Sequence, residues 1–200
     1  MIISGAGGHA LEVLEEWKKI LPNENFLFFD ELNQDESLLL NTFSVLHKQQ
    51  ELKEVFSYSN SFSLGVGSPK IRSRFYEMFS QAGGKFNPLH AKSSQVSDTA
   101  SGEFDVMAFA YVGPQCSIGN GALVNTRANV HHECILGDFV EVGPGALILG
   151  QVHLEKFVRI GAGAVILPGL KVGAYSVVGA GAVVTKDIAK AITVKGIPAK

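Results

Sequence analysis

At 200 residues with a formal net charge of −2, the chain is long enough to bury about 70% of its unfolded surface in two small cores. It has no basic excess that would make nucleic acid its main partner. The opening MIISGAGG has no positive leader, and no apolar run approaches the ~18 residues of a membrane span, so the expectation is a soluble cytoplasmic protein.

The first 88 residues alternate strand and helix. An apolar start, Met1-Ile2-Ile3, runs into Gly5-Ala6-Gly7-Gly8-His9. Leu11, Leu14, Trp17 or Lys18, and Leu21 then share one helix face, which Pro22-Asn23 ends. Phe26-Leu27-Phe28-Phe29 reads as a buried strand ending at Asp30-Glu31, and Phe62 to Val66 as another, followed by Gly67. Ser68 as N-cap, Pro69 at the first helical position, apolar Ile71, Phe75 and Met78, and Gly83 beyond the end predict a second helix. The pattern is that of a small βαβ, Rossmann-like α/β domain with a parallel sheet over residues 1–88.

Gly5-x-Gly7-x-x-Ala10 lies between strand and helix, where glycines let backbone approach a phosphate and the helix N-terminus favours its charge. Fewer than 90 residues make only about half of a dinucleotide fold. A nucleotide or nucleotide-sugar is therefore preferred to NAD, with a purely structural turn as the alternative. Asp30, at a strand's C-terminal end, reads either as a ligand contact or as a loop acid.

Residues 87–105 form the join, with a first irregular coil expected near Val96. From Val106 to Ala189 an uninterrupted six-residue unit opens fourteen times on a branched aliphatic residue, from Val106, Val112 and Ile118 through to Val184. The second residue is Gly at 113, 119, 137, 143, 161, 173 and 179 and Asn at 125, expected to supply the φ > 0 of a sharp corner. The fifth is usually small, as at Ala110, Cys116, Ala122, Cys134 and Ala146. A buried aliphatic, a corner and a small inward residue every six positions describe an all-β parallel helix, residues 89–200, whose coils bury their core by stacking.

Hexads of this form resemble the left-handed β-helix acyltransferases, in which three hexads make one 18-residue coil of a triangular prism. Residues 18 apart then stack at about one strand spacing, ~4.8 Å. On that arithmetic Cys116 and Cys134 stack as core residues in a reducing compartment rather than as a disulfide. Pro144, Ala162 and Ala180 form one column and Gly143, Gly161 and Gly179 the next. Such columns either leave room for an extended pantetheine arm or simply close corners.

The hexad pattern breaks at Asn125-Thr126-Arg127-Ala128-Asn129-Val130-His131-His132-Glu133-Cys134, which crowds polar and titratable residues onto consecutive corners. With the Gly5–His9 turn, Gly67-Ser68-Pro69-Lys70-Ile71-Arg72 and the ending Gly196-Ile197-Pro198-Ala199-Lys200, the string resembles the NeuD/PglD-like sugar O- and N-acyltransferases of bacterial surface-glycan synthesis. The resemblance implies a homotrimer that takes acetyl-CoA from a groove between subunits and acetylates a nucleotide-linked amino sugar, or a sialic acid hydroxyl in the near variant, with no metal.

It also implies roles. His132 is the general base and Glu133 raises its basicity; independently, a neutral imidazole suits a step in which an amine loses a proton near neutral pH. His131 is the rival base. Asn125 either orients substrate or is a φ > 0 corner residue. Ala162 and Ala180 match backbone contacts to the cofactor, while Lys186, Lys190, Lys195 and Lys200 read as phosphate contacts or solvated lysines. Glu141 stands near the acetyl group where many relatives carry a second His. Gly7, Gly8, His9, Asp30, Glu31 and Gly67 fall where relatives hold the nucleotide. Two other readings stand beside this one: a zinc hydratase, for which His153 is poorly placed relative to His132, and a non-catalytic binding protein, suggested by Glu141.

Overall fold

The computed structural model describes residues 1–32 and 38–200. It forms two compact units, Met1–Gly67 with Ile71–Leu89, and Ser68–Lys70 with His90–Lys200. No helix among the described residues is long and apolar enough to cross a membrane.

The first unit runs β1 (Ile2–Ser4), α1 (Gly8–Ile20), β2 (Leu27–Phe29), β3 (Leu38–Leu39), β4 (Phe43–Leu46), α2 (Gln49–Tyr58), β5 (Ser61–Leu64), α3 (Pro69–Gln81) and β6 (Lys85–Phe86). The sheet order is β3-β4-β2-β1-β5-β6, parallel except for the β3–β4 pair. After β1 the chain builds one side of the sheet and then crosses to the other, so β1 and β5 flank a topological switch point. Phe29, Phe56, Phe62, Phe75, Phe79 and Phe86 fill one core cluster, with rings edge to face, as for Phe62 and Phe79 at 5.2 Å and 89°.

Both expected helices form, but with turned faces. In α1 the buried stripe is Ala10, Val13, Leu14 and Trp17, whereas Leu11 and Leu21 are half-buried; Trp17 Nε1 donates to Ser63 Oγ at 2.9 Å. In α3, Ile71 is exposed and Arg72 is buried completely. The Arg72 guanidinium donates to the carbonyls of Leu64, 3.1 Å, and Val66, 2.9 Å, at the end of β5, so hydrogen bonds offset the cost of burying a charge there. α3 ends as expected: Gly83 has φ +99°, and the N–H groups of Gly83 and Gly84 donate to Ser80 and Phe79, a Schellman cap. The helix α2, with Leu52, Val55 and Phe56 inward, was not anticipated.

The second unit is a left-handed β-helix of two-residue strands on three parallel faces. Face one holds the strands at residues 105–106, 123–124, 141–142, 159–160, 177–178 and 193–194. Face two holds 95–96, 111–112, 129–130, 147–148, 165–166 and 183–184, and face three 117–118, 135–136, 153–154 and 171–172. Partners such as Leu123 and Glu141 are 18 apart. All fourteen openers are buried, none more than 3% exposed, and together with Ala110, Cys116, Ala122 and their equivalents they make one continuous core. Both cysteines are free and buried; Cys116 Sγ donates to the His131 carbonyl at 3.0 Å and Cys134 Sγ to that of Leu149 at 3.2 Å.

The corner chemistry differs from expectation. Positive φ falls on the fourth residue of each hexad from Val106 to Val178, for example Phe109, Gln115, Gly121, Arg127, Glu133 and Phe139. It does not fall on the second residue, so Gly113, Gly119, Gly137, Gly143, Gly161, Gly173, Gly179 and Asn125 are not the left-handed positions. Most of these glycines are small because the next coil lies against them. A Cβ on Gly119 would sit 2.4 Å from Asp138 N, and one on Gly161 2.5 Å from Ala180 N.

The end coils are shorter than the rest. His90 pairs with Val106 and Val172 with Ile188, Gln95 with Tyr111, and Val177 with Thr193, each sixteen residues apart. The first coil thus begins at His90 rather than near Val96, and the hexad opened by Val184 is cut to four residues before Ile188.

Candidate active site

After Val130 on face two, the chain turns through His131–Cys134 to face three. Glu133 takes the left-handed place of this corner, φ +59°, which projects its side chain and that of His132 outward, 46% and 54% exposed. His132 Nδ1 lies 2.8 Å from Glu133 Oε2, and Gln151 Nε2 donates to the same oxygen at 3.3 Å. The bonds from His132 and then Gln151 hold the Glu133 carboxyl below its usual range, so it is an anion at neutral pH. An anion only accepts, so His132 carries its proton on Nδ1 and leaves a lone pair on Nε2. The ring rests over Gly150, where a Cβ would come within 2.5 Å of Nε2 and Cε1. The arrangement suits proton abstraction from a nucleophile.

His131 turns its ring edge toward Tyr111, centroids 6.2 Å apart, and no carboxylate pairs with it among the described residues. Asn125 is buried, and its Oδ1 accepts the Thr126 N–H at 2.7 Å. It lies on the corner between faces one and two. Pro144, Ala162 and Ala180 line that same corner in one exposed column, tied by the N–H groups of Gly163 and Gly181 donating to Pro144 and Ala162 at 2.9 Å. Glu141 lies on face one, 7% exposed and ion-paired with Arg159 at 2.7 Å. In a triangular section the His132 corner is the vertex opposite face one. Within one chain, then, His132 and Glu133 come together, whereas Asn125, Ala162 and Ala180 occupy another edge and Glu141 the far side.

Of the four lysines, Lys190 lies over the Tyr175 ring at 5.8 Å. His153 sits within face three, paired with Ile135 and Lys171. Among the described residues, no group of three His, Cys, Asp or Glu is arranged to hold a metal ion.

In the first unit, β1, β2 and β5 deliver Gly7–His9, Asp30–Glu31 and Gly67 to the same, C-terminal, edge of the sheet. Asp30 binds this edge together: Oδ2 accepts Ala6 N–H at 3.1 Å and Oδ1 accepts Leu32 N–H at 2.8 Å. Gly7 caps α1 with no side-chain bond, and Gly7 and Gly8 are exposed with open space where a Cβ would stand. His9 Nδ1 meets Glu12 at 3.1 Å. Glu31 accepts from Gln49 Nε2 at 3.0 Å and pairs with Arg74.

Comparison with known proteins matches residues 1–79 to the PglD N-terminal domain and 151–186 to the bacterial transferase hexapeptide repeats. No curated protein sequence matches the chain. Among solved structures, the acetyltransferase domain of PglB from Neisseria gonorrhoeae, in complex with acetyl coenzyme A, is 33% identical with a TM-score of 0.90, covering 100% of this chain and 97% of that one. The chain belongs to the NeuD/PglD-like acyltransferase family. A histidine-to-alanine mutant of GDP-perosamine N-acetyltransferase from Caulobacter crescentus, in complex with CoA and GDP-perosamine, is another similar structure, 29% identical with a TM-score of 0.89 over 100% of this chain and 94% of that one. WeeI from Acinetobacter baumannii is 25% identical, TM-score 0.83, over 100% and 97%.

Beside the His132–Glu133 pair of this NeuD/PglD-like acyltransferase stand two residues that the sequence reading passed over. Gly150 and Gln151 stand one coil beyond His132 and Glu133, and adding 18 to each number would have found them.

Proposed function

We propose that the chain transfers the acetyl group of acetyl-CoA to the amino group of a nucleotide-linked amino sugar, with His132 as general base. The observation that carries this reading is the exposed His132–Glu133 pair with Nε2 directed away from its carboxylate. Support comes from the relatives, which are described with acetyl-CoA, or with CoA and GDP-perosamine.

In this mechanism the amine attacks the thioester carbonyl as Nε2 takes its proton. The C–N bond forms, the tetrahedral adduct collapses, and the C–S bond breaks; the imidazolium returns the proton to the departing CoA thiolate. No covalent enzyme intermediate is needed. The anionic Glu133 favours the imidazolium as it forms.

Residues 1–88 serve as the nucleotide-holding part and 89–200 as the transferase part. Gly7, Gly8, His9, Asp30, Glu31 and Gly67 edge the phosphate and ribose site at the switch point of the sheet. Ala162 and Ala180 line the acetyl-CoA arm. Because this arm, Glu141 and His132 lie on different edges of one prism, a complete site draws on neighbouring chains, and a homotrimer supplies three equivalent ones. The reading is tested by incubating the protein with acetyl-CoA and a panel of UDP- and GDP-linked amino sugars, their hydroxyl counterparts and sialic acid, with thiol release and product mass as readouts. Thiol release with an amino-sugar nucleotide but not with its hydroxyl counterpart is the expected result; release only with sialic acid would move the activity to O-acetylation.

A further inference from the structure

We propose that Gln151 is a positioning residue for the His132–Glu133 pair: it holds the Glu133 carboxylate where the imidazole must keep its proton on Nδ1 and its lone pair on Nε2. The proposal rests on the reading of His132 as the base.

Glu133 is half exposed at a prism vertex, where water competes for its oxygens and several rotamers are open to a free side chain. One oxygen, Oε2, nevertheless receives both His132 Nδ1, at 2.8 Å, and Gln151 Nε2, at 3.3 Å. Gln151 is itself anchored. It takes the left-handed place of the next coil, φ +62°, and its backbone N–H donates to the His132 carbonyl at 2.9 Å. Backbone and side chain of one residue thus hold both members of the pair, across a spacing fixed by the sheet.

The residue type matters as well. The left-handed place goes to glycine at Gly121, Gly145, Gly163, Gly169 and Gly181 and to side chains at Phe109, Gln115, Arg127, Glu133, Phe139, Phe157 and Tyr175, so it is the chemistry of the side chain and not its presence that distinguishes position 151. There the amide offers a donor without a charge. A lysine or arginine in its place would neutralise the carboxylate and weaken its pull on the imidazolium; a neutral amide leaves that pull intact. The other titratable groups near the pair are Cys116, whose thiol is held down by Cys134 first and also by the His132 charge, Cys134, which follows Glu133 in the chain, and His131, which precedes His132.

The test uses the full-length protein and two variants, Gln151→Leu and Gln151→Glu. Imidazole 15N spectra, assigned against His132→Ala, read the tautomer; carboxyl 13C titration, assigned against Glu133→Gln, reads the anion. Gln151→Leu is expected to lower the share of the Nδ1-protonated tautomer and to return the Glu133 carboxyl toward its ordinary range. With acetyl-CoA and GDP-perosamine as probes, kcat should fall about five- to tenfold with both KM values unchanged. Gln151→Glu sets a second carboxylate against the first, so Glu133 should titrate higher still; this variant gives a reading should Gln151→Leu not fold. Wild-type tautomer and carboxyl titration in the variants would overturn the proposal. The spectra do not depend on turnover, so an inactive protein with the expected spectral changes would count against the acetyltransfer reading and not against the role of Gln151.

Discussion

The imidazole of His132 lies over the Cα of Gly150, so close that a methyl group at position 150 would stand 2.5 Å from its Nε2. Gly150 does not lie at positive φ, so alanine meets no backbone strain there. The ring is half exposed and is free to swing aside.

Gly150→Ala should therefore leave stability within about 1 kcal/mol while moving the ring off its position. A displacement of this order costs about 10²-fold in kcat. Thermal unfolding and steady-state rates measured together check it, and a fully active Gly150→Ala protein would show that the ring position over Gly150 is not the working one.

His132→Ala should keep the fold and cut kcat by roughly 10²–10⁴, and Glu133→Gln should cut it less. The Glu133 carboxyl is held below its ordinary value of 4.5 by His132 and Gln151. A depressed folded-state value stabilises the fold above the unfolded value and loses that contribution as pH falls through the lower, folded one. The part of the stability difference between wild type and Glu133→Gln that comes from titration of Glu133 should accordingly be complete above about pH 4.5 and be lost as pH falls below it. Denaturant midpoints across that range decide the point.

Gly161→Ala and Gly163→Ala separate the two reasons for glycine. At 161 the added Cβ meets the backbone N of Ala180 at 2.5 Å, which the stack cannot yield cheaply; at 163 there is open space but φ is +66°. Losses of about 2–4 kcal/mol and about 1 kcal/mol follow, read from urea midpoints at one protein concentration. The reverse ranking would show that the close approach of the next coil is not what keeps position 161 a glycine.

Ala180→Trp should block the arm of acetyl-CoA without touching the inward core, since Ala180 is exposed. Calorimetry should show affinity for acetyl-CoA falling sharply while light scattering still gives the mass of a trimer. Normal binding would remove the Pro144–Ala162–Ala180 corner from the cofactor path.

Which parts of this were readable in advance follows from where each signal lives. The openers from Val106 to Val184 announce themselves because a stacked coil needs one inward aliphatic per side. The left-handed places stayed hidden because Phe109, Gln115 and Arg127 are not residue types that favour φ > 0, whereas the glycines that drew attention are set by distances between coils. In α3 the periodicity pointed to Ile71 as inward, but Arg72 takes that side because two carbonyls at the end of β5 await donors. The partnership of Glu133 with Gln151 was within reach of the 18-residue arithmetic, yet its chemistry depends on a side-chain rotamer that no spacing reveals.

The sixteen-residue coils at the two ends bear on how large the particle can become. A prism of identical coils would offer, at top and bottom, strand edges matching the next coil, and copies could add without limit. Here the first and last paired coils are two residues short, so the outermost corners are tighter than those of a full coil. Beyond Val194, Pro198 offers no N–H to an incoming strand. A tighter outer coil is a poorer template for a further regular coil than a full one, and lengthening the step from Val184 to Ile188 back to six residues is expected to raise the mass seen by light scattering.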